Sequence, residues 1–206
     1  MIRRTYQHEL NGSELDVGAV QLEVDGVSLR FGGVTALENV TLRVKQGSVH
    51  AVIGPNGAGK TSLLNCISGL YRAQHGRIRL HEAASTVDLA REKPHRIASH
   101  GVARSFQNIE LFRHMTVLEN LVLGRHVHMR HNLLADLLWF GLARRQEVTE
   151  RDLVEEVIDL LEVQQVRPQP VAALPYGIQK RVELGRALCM QPAVVLLDEP
   201  MAGVNP

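Results

Sequence analysis

The stretch GPNGAGKT, from Gly54 to Thr61, has the residue types and spacing of a loop that binds phosphate. Its glycines let successive backbone N–H groups curl around an anion without a side-chain clash. The leucines that follow have helical spacing, so the positive N-terminus of a helix would face the same anion. Lys60 would reach the β- and γ-phosphates, and the Thr61 hydroxyl would be a ligand of Mg²⁺. The motif therefore predicts a site for a nucleoside triphosphate.

A second chemical signal is an acid pair, Asp198 and Glu199, directly after the apolar residues 194–197. This pattern predicts that Asp198 ends a core strand, beside the phosphate loop in a parallel sheet. Asp198 then suits the Mg²⁺ shell, and Glu199 suits the orientation or deprotonation of an attacking water. An acid pair on a charged surface turn is the alternative. The apolar run and the upstream loop favour the catalytic interpretation.

The composition is that of a soluble globular chain of one large domain or two small ones. Of 206 residues, 45% are hydrophobic and 22% are charged, and the net charge of +1 gives no general indication of nucleic-acid binding. Cys66 and Cys189 lie in apolar helical patterns, which favours buried thiols in a reducing compartment. Residues 1–20 lack the apolar core of a signal peptide. The longest apolar stretch, 133–143, is shorter than the ~20 residues of a membrane span.

The elements that must position these residues begin with strands and end with helices. Alternating patterns predict strands at 20–31 and 40–44, with a turn at Gly32–Gly33. The apolar run 48–54 predicts a strand buried on both faces. Further elements are the helix after the phosphate loop, an edge hairpin at Gly76 with the RIRL run, a short helix at 94–100 and a strand at 101–107.

The helical part of the chain extends from residue 108 to about 170. Thr116 and Glu119 have capping-box spacing at the start of one helix. Thr149 and Asp152 have the same spacing and predict the start of another, whose apolar face includes Leu153, Val157, Ile158 and Leu161. A third helix is predicted over 176–190, followed by a second buried strand that ends in the acid pair.

The segment LPYGIQKRVELGRAL, from Leu174 to Leu188, resembles the signature segment of ABC ATPases. The resemblance covers about residues 20–206. It implies an α/β fold: a P-loop NTPase core with a mixed sheet, parallel at its core and with antiparallel N-terminal strands, plus an inserted helical subdomain. The implied division is a polar leader at 1–19, an ATP-binding core at 20–107 and 175–206, and a helical subdomain at 108–174. The segments TVLENL, LPYGIQKR and DEPMAGVNP are similar in sequence to the corresponding segments of ATP-binding subunits of branched-chain amino-acid importers.

The same resemblance implies roles for individual residues. Gln107 takes the position of the glutamine that joins core to helical subdomain and senses Mg²⁺, and a plain loop glutamine is the alternative. Phe31 takes the position of an aromatic that stacks on adenine, and an ordinary core or turn aromatic is the alternative. Catalytic roles go to Glu199, Lys60 and Gln107, and metal binding to Thr61, Gln107 and Asp198. Nucleotide contacts are assigned to Phe31, Gly54, Pro55, Asn56, Gly57, Ala58, Gly59, Lys60, Thr61, Ser62, Leu174, Pro175, Tyr176 and Gly177.

The signature segment departs from the common family pattern at three positions. Pro175, Tyr176 and Ile178 replace its serine, its first glycine and its glutamine. Proline suits a first helical position, where its missing N–H would be unpaired anyway. The N–H groups of Gly177 and Ile178 are therefore expected to stay available to a phosphate, with the helix dipole behind them. The segment 202–205 takes the D-loop position, with Asn205 where aspartate is commoner.

The implied function is an ATP-binding and ATP-hydrolysing subunit that energises an ABC importer, with branched-chain amino acids as its solute and ATP and Mg²⁺ as cofactors. The implied partners are membrane permease subunits, a second ATP-binding subunit (identical or different) and, indirectly, a solute-binding protein, with no nucleic acid. The implied location is peripheral, on the cytoplasmic face of the plasma membrane. The alternatives are a soluble ABC ATPase without a transport role and a nucleotide-binding module that no longer hydrolyses.

Three histidines and one apolar stretch also allow a simpler interpretation than a functional site. His126, His128 and His131 scatter around a helix, which favours a solvated face over a metal site. The stretch 133–143, with Trp139, fits subdomain core or a patch for a membrane subunit equally well. All ten histidines lie at or before His131, and the strand and switch histidine that the family has after the D-loop do not appear. From this we expect missing C-terminal strands and a chain that binds ATP but hydrolyses it poorly.

Overall fold

The computed structural model describes residues 18–105, 110–125 and 142–199, with the backbone alone for 142–150. The chain divides into two compact units, the first ending at Val102 and the second beginning at Ala103. The division into leader, core and helical subdomain expected from the sequence stays a prediction.

An antiparallel sheet dominates the first unit. Strands β1 (Val20–Phe31) and β2 (Val34–Lys45) form a hairpin around the turn at Gly32–Gly33. Strands β3 (His75–His81) and β4 (Thr86–Asp88) extend it in the order β2-β1-β3-β4, with every neighbouring pair antiparallel. Inward residues of β1 and β3 alternate with exposed ones, so their branched side chains form one buried face. The predicted antiparallel N-terminal strands are present.

The described part of the first unit also contains two α-helices. Helix α1 (Lys60–Ile67) follows the glycine loop and buries Leu63, Cys66 and Ile67. Helix α2 (Pro94–Ser99) begins with a proline, which suits the first turn because its missing N–H would have no partner there. Burial raises the pKa of the Cys66 thiol to about 11, so this cysteine is the inert core residue that the sequence indicated.

The predicted buried strand at 48–54 is wrong for the structure described. These residues are assigned to no strand, and the side chains of Val49 and Ile53 are almost fully exposed. An apolar run reports that a segment is suited to burial, but a strand also needs a hydrogen-bonded neighbour. Neither sheet of the described part of the chain pairs with this segment.

The second unit combines a small sheet with three helices. Strand β5 (Val102–Ser105) begins at the boundary and pairs with β6 (Val194–Leu197). The helices are α3 (Val117–Arg125), α4 (Leu142–Leu160) and α5 (Tyr176–Cys189). Their apolar faces share one core, whose fully buried members include Val117, Leu121, Val157, Ile158, Val182 and Cys189.

The start of α3 confirms one capping box. The backbone N–H and the hydroxyl of Thr116 donate to Glu119 at 2.7 and 2.9 Å, and the Glu119 N–H donates back to the hydroxyl at 3.2 Å. The box predicted at Thr149 and Asp152 is wrong, because α4 already begins at Leu142. The residues LARRQEV contain no helix breaker, so the helix continues upstream of the threonine.

Two glycines bring helices of the second unit close together. A Cβ added at Gly124 would lie 2.4 Å from the carbonyl oxygen of Arg186, so the α3 backbone nearly touches α5. On α5, a Cβ at Gly185 would lie 2.7 Å from side-chain carbons of Leu121 and Leu161. These close approaches hold α3 in contact with the C-terminal half of α5.

Candidate functional site

The glycine loop of the first unit has the backbone conformation that phosphate binding requires. Gly57 and Gly59 have φ of 84° and 83°, a left-handed region that disfavours other residues. Gly59 is the N-cap of α1 and lies against β2, where the Ala36 carbonyl leaves no room for a Cβ. Two independent constraints therefore require glycine at residue 59, and α1 starts immediately after it.

Lys60 is the first residue of α1 and folds back over the loop. Its Nζ donates to the carbonyl oxygens of Gly54 at 2.8 Å and Pro55 at 2.9 Å. The ammonium is thus held at the mouth of the loop by backbone carbonyl oxygens, and no carboxylate in the part of the chain that the structure describes forms an ion pair with it. An ammonium placed in this way can bind an anion by a charge-assisted hydrogen bond.

An exposed aromatic pair lies at the end of the β1–β2 hairpin. Phe31 is 47% exposed, and its ring meets the Tyr71 ring edge-on, with centroids 5.1 Å apart and planes at 76°. Phe31 pairs with Val34, which stands two residues before the Ala36 that contacts the loop. Phe31 and the phosphate loop therefore both contact the same short segment of β2. Core burial is wrong for Phe31 in this structure, and an ordinary turn aromatic stays open as the alternative to adenine stacking.

The acid pair follows β6 directly, as predicted. Asp198 is buried, and its Oδ2 accepts a hydrogen bond of 3.1 Å from Nη2 of Arg104 on β5. Glu199 is exposed and has φ of 48°. A non-glycine residue in this region stores strain of about 1 kcal/mol and is found most often in turns and at functional sites. The placement of the pair beside the phosphate loop stays a prediction.

The chemistry of these donors fits Mg²⁺, which prefers hard oxygen ligands and keeps several waters. In the second unit Asp198 offers a carboxylate that contacts a buried arginine, and in the first unit Thr61 offers a hydroxyl in the first turn of α1. Sites that bind Mg²⁺ with a nucleotide use one or two side chains of this kind together with phosphate oxygens. That Asp198 and Thr61 hold one such ion, which would supply charge neutralisation at the phosphates, stays a prediction.

The signature segment differs in two details from the sequence expectation. Pro175 is the N-cap of α5, with Tyr176 as the first helical residue, so the proline stands one position earlier than predicted. The N–H of Ile178 donates to the Pro175 carbonyl at 3.0 Å and is not available to a phosphate. The amides of Tyr176 and Gly177 belong to the first turn, where a helix supplies no partner. Leu174 is buried in the core of the second unit, so its side chain supports the turn.

Sequence reasoning missed the charged residues that support this helix. Lys180 and Glu183 form a buried ion pair of 3.1 Å on α5, and the Lys180 ammonium lies 6.0 Å from the centre of the exposed Tyr176 ring. Burial also lowers the pKa of Arg186, against the opposing charges of Glu183 and Glu110. The sequence feature that could have identified these residues is a charged side chain at helix positions where the apolar pattern predicts core. Arg104, an arginine inside an apolar strand pattern, carried the same signal.

Several predicted positions lie outside the described residues. These are Gln107, the D-loop at 202–205, the histidines at 126, 128 and 131, and Trp139. Their proposed roles stay predictions. The remaining site residues divide between the two units: the phosphate loop and the aromatic pair lie in the first, and the acid pair and the signature turn lie in the second.

Comparison with known proteins gives a family match over most of the chain. Residues 37–202 match the family described as ABC transporter. The high-affinity branched-chain amino acid transport ATP-binding protein BraF of Pseudomonas aeruginosa is 38% identical over 185 residues, which are 90% of this chain and 71% of that protein. The corresponding protein LivG of Escherichia coli K12 is 37% identical over the same share of both chains.

Solved structures agree with this match. An ATP-binding cassette of an ABC transporter in its ADP conformation gives a TM-score of 0.73 at 31% identity, covering 91% of this chain and 71% of that one. A nucleotide-free cassette gives 0.72 at 30% identity, with coverage of 91% and 72%. The predicted fold class, a mixed α/β cassette, is confirmed. Within residues 18–105, 110–125 and 142–199, no helix has both the length and the apolar character that crossing a bilayer requires.

Proposed function

The chain belongs to the ABC transporter family, as an ATP-hydrolysing subunit, and we propose that the importer it energises carries branched-chain amino acids. The relatives reported above support this solute, because their names describe branched-chain amino acid transport. The proposed location is the cytoplasmic face of the membrane, held there by permease subunits.

The observation that carries the nucleotide part of the proposal is the loop around Lys60. Left-handed glycines shape it, a helix N-terminus follows it, and a lysine ammonium lies at its mouth on two carbonyls. This arrangement suits the β- and γ-phosphates of ATP, because it combines amide donors, a helix dipole and a positive charge. Phe31 would hold the adenine by stacking, while the loop holds the phosphates.

Hydrolysis is assigned to the acid pair and its surroundings. Asp198 and Thr61 are the proposed ligands of Mg²⁺, and the exposed Glu199 is the proposed residue that orients the attacking water. Gln107 is proposed to sense the metal. Lys60 would stabilise the charge that develops on the transferred phosphoryl group. The turn at Pro175–Gly177 is proposed to contact the γ-phosphate held by a second ATP-binding subunit, through backbone N–H groups of the first turn of α5.

The proposed docking surface for a permease is the exposed apolar side of α3. Leu118 and Val122 are one helical turn apart and both partly exposed, and Phe112 before the helix is 57% exposed. Apolar residues that stay exposed together indicate an interaction site more often than residues exposed singly. A helix of the permease that faces the cytoplasm would cover them.

Uptake measured with purified components tests the proposed solute. Permease subunits and a solute-binding protein that assemble with this chain would be reconstituted with it in vesicles, with labelled leucine, isoleucine or valine outside and ATP at the side of this subunit. Uptake of these three, and not of labelled lysine or glutamate, is the expected result. Uptake of another solute class alone would leave the ATPase assignment intact and reject the solute.

Cysteine cross-linking tests the docking surface. Both native cysteines are buried, so introduced cysteines can be labelled selectively. Val122→Cys should cross-link to the permease, whereas Leu160→Cys, an exposed apolar position on α4, is the matched control and should not. Cross-linking of the control alone would reject this surface.

A further inference from the structure

Arg104 and Asp198 form an ion pair where β5 and β6 end. Nη2 of Arg104 lies 3.1 Å from Oδ2 of Asp198, and the two side chains are only 6% and 5% exposed. Arg104 lies on β5, and Asp198 directly follows β6, the neighbour of β5 in the sheet, so the backbone fixes the approach of the two groups. A guanidinium therefore lies against the acid assigned to Mg²⁺.

The physical consequence is a competition for one carboxylate. A buried carboxylate needs a counter-charge, because removal from water strongly disfavours its ionised form. Arginine supplies a charge that it does not lose at any pH of interest. A divalent cation on the same carboxylate would meet that guanidinium at short range, and the repulsion is large where water is excluded. The carboxylate thus has two possible counter-ions that disfavour each other.

We infer that the Arg104 guanidinium is the counter-ion that occupies the Asp198 carboxylate before metal binding, and that it withdraws when Mg²⁺ binds. The inference rests on the proposed function, since it takes Asp198 as a metal ligand. The long side chain of arginine lets the guanidinium move while β5 stays in place. Arg104 stands three positions before Gln107 in the sequence, so this withdrawal occurs at the start of the segment proposed to sense the metal. The competing view is a permanent structural ion pair that metal binding leaves unchanged.

Mn²⁺ binding distinguishes these views without any turnover. Mn²⁺ would be titrated into the full chain with a non-hydrolysable ATP analogue, and free Mn²⁺ read by electron paramagnetic resonance. Arg104→Met removes the competing charge and should tighten Mn²⁺ binding about tenfold or more, given the strength of a partly buried charge pair. Arg104→Lys keeps the charge and should stay near the wild-type affinity. Unchanged or weaker binding by Arg104→Met would overturn the inference.

Thermal unfolding gives a second readout. Without metal, Arg104→Met should unfold at a lower temperature, because the buried 3.1 Å ion pair with Asp198 is lost, and Arg104→Met combined with Asp198→Asn should recover most of the loss. Mn²⁺ with the analogue should raise the midpoint of Arg104→Met more than that of the wild type. If Arg104→Met does not fold alone, folding on addition of Mn²⁺ and the analogue is the expected result, and no recovery contradicts the inference.

Different results would reject the proposed function and the role of Arg104. A wild-type chain that binds neither Mn²⁺ nor the analogue would reject the proposed function. A wild-type chain that binds both, with an Arg104→Met variant of the same affinity and the same midpoint gain, would reject only the role of Arg104.

Discussion

A Cβ built on Gly59 would lie 2.3 Å from the carbonyl oxygen of Ala36, so helix α1, which follows the phosphate loop, starts in direct contact with the β1–β2 hairpin. The contact joins the hairpin that carries Phe31 to the loop that carries Lys60. It also explains why residue 59 has to be glycine for reasons of space as well as of backbone conformation.

Gly59→Ala should therefore lower the free energy of unfolding by about 2–4 kcal/mol, since a backbone oxygen cannot move aside and φ is also strained. Gly57→Ala is the matched control: it has similar φ but open space around its Cβ, and should cost about 1 kcal/mol. Denaturant unfolding without nucleotide measures both. Equal losses in the two variants would contradict the proposed contact with Ala36.

The stability of the second unit should depend on pH through Glu119. Hydrogen bonds from the Thr116 backbone N–H and hydroxyl lower the pKa of Glu119 below its ordinary value of 4.5. A lowered folded pKa gives stability that is present above pH 4.5 and is lost as pH falls through the folded pKa. Glu119→Gln should remove this contribution at neutral pH and flatten the dependence. Unfolding of both proteins between pH 7 and pH 3 tests this, and parallel curves would exclude the capping box as its source.

Alanine should be tolerated less well at Gly124 than at Gly185. At Gly124 an alanine meets the backbone carbonyl of Arg186, whereas at Gly185 it meets the side-chain ends of Leu121 and Leu161, which can shift. Alanine gains about 1 kcal/mol of helix propensity at either position. We expect Gly185→Ala to be near neutral and Gly124→Ala to lose about 2 kcal/mol. Thermal unfolding ranks the two, and the reverse order would contradict this packing.

Phe31 should contribute to binding of the base and not of the phosphates. Phe31→Ala should weaken ATP about two- to tenfold, the range expected for one aromatic contact. Its affinity for inorganic tripolyphosphate should be unchanged. Val34→Ala, an exposed partner of Phe31 across the hairpin, is the control and should alter neither. Equal loss for both ligands in Phe31→Ala would point to a distorted loop.

Local patterns predicted the parts of this protein that depend on local physics. The glycine loop, the hairpin turn at Gly32–Gly33 and the capping box at Thr116 each involve residues a few positions apart, and each was predicted correctly. The box at Thr149 shows the limit of such motifs. Its spacing is common by chance, and nothing before it stops the helix.

Features that depend on distant partners were harder to predict. The run at 48–54 is apolar enough for a buried strand, but no local pattern reports which segment would pair with it. Arg104 is separated from Asp198 by most of the second unit, so only its odd charge in a strand could have drawn attention to it. The Ile178 N–H is not available to a phosphate because it donates a hydrogen bond to the carbonyl of Pro175, the N-cap residue.

Calorimetric titration of ATP into the wild-type chain and into Lys60→Ala tests the central claim most directly. Lys60 contacts only backbone carbonyls among the contacts described, so its removal should leave the unfolding midpoint nearly unchanged. Loss of a charge-assisted contact should weaken ATP binding about 10- to 150-fold, and Lys45→Ala, an exposed lysine at the end of β2, should bind as the wild type does. A folded Lys60→Ala chain that binds ATP with wild-type affinity would contradict the assignment of this loop to the nucleotide phosphates.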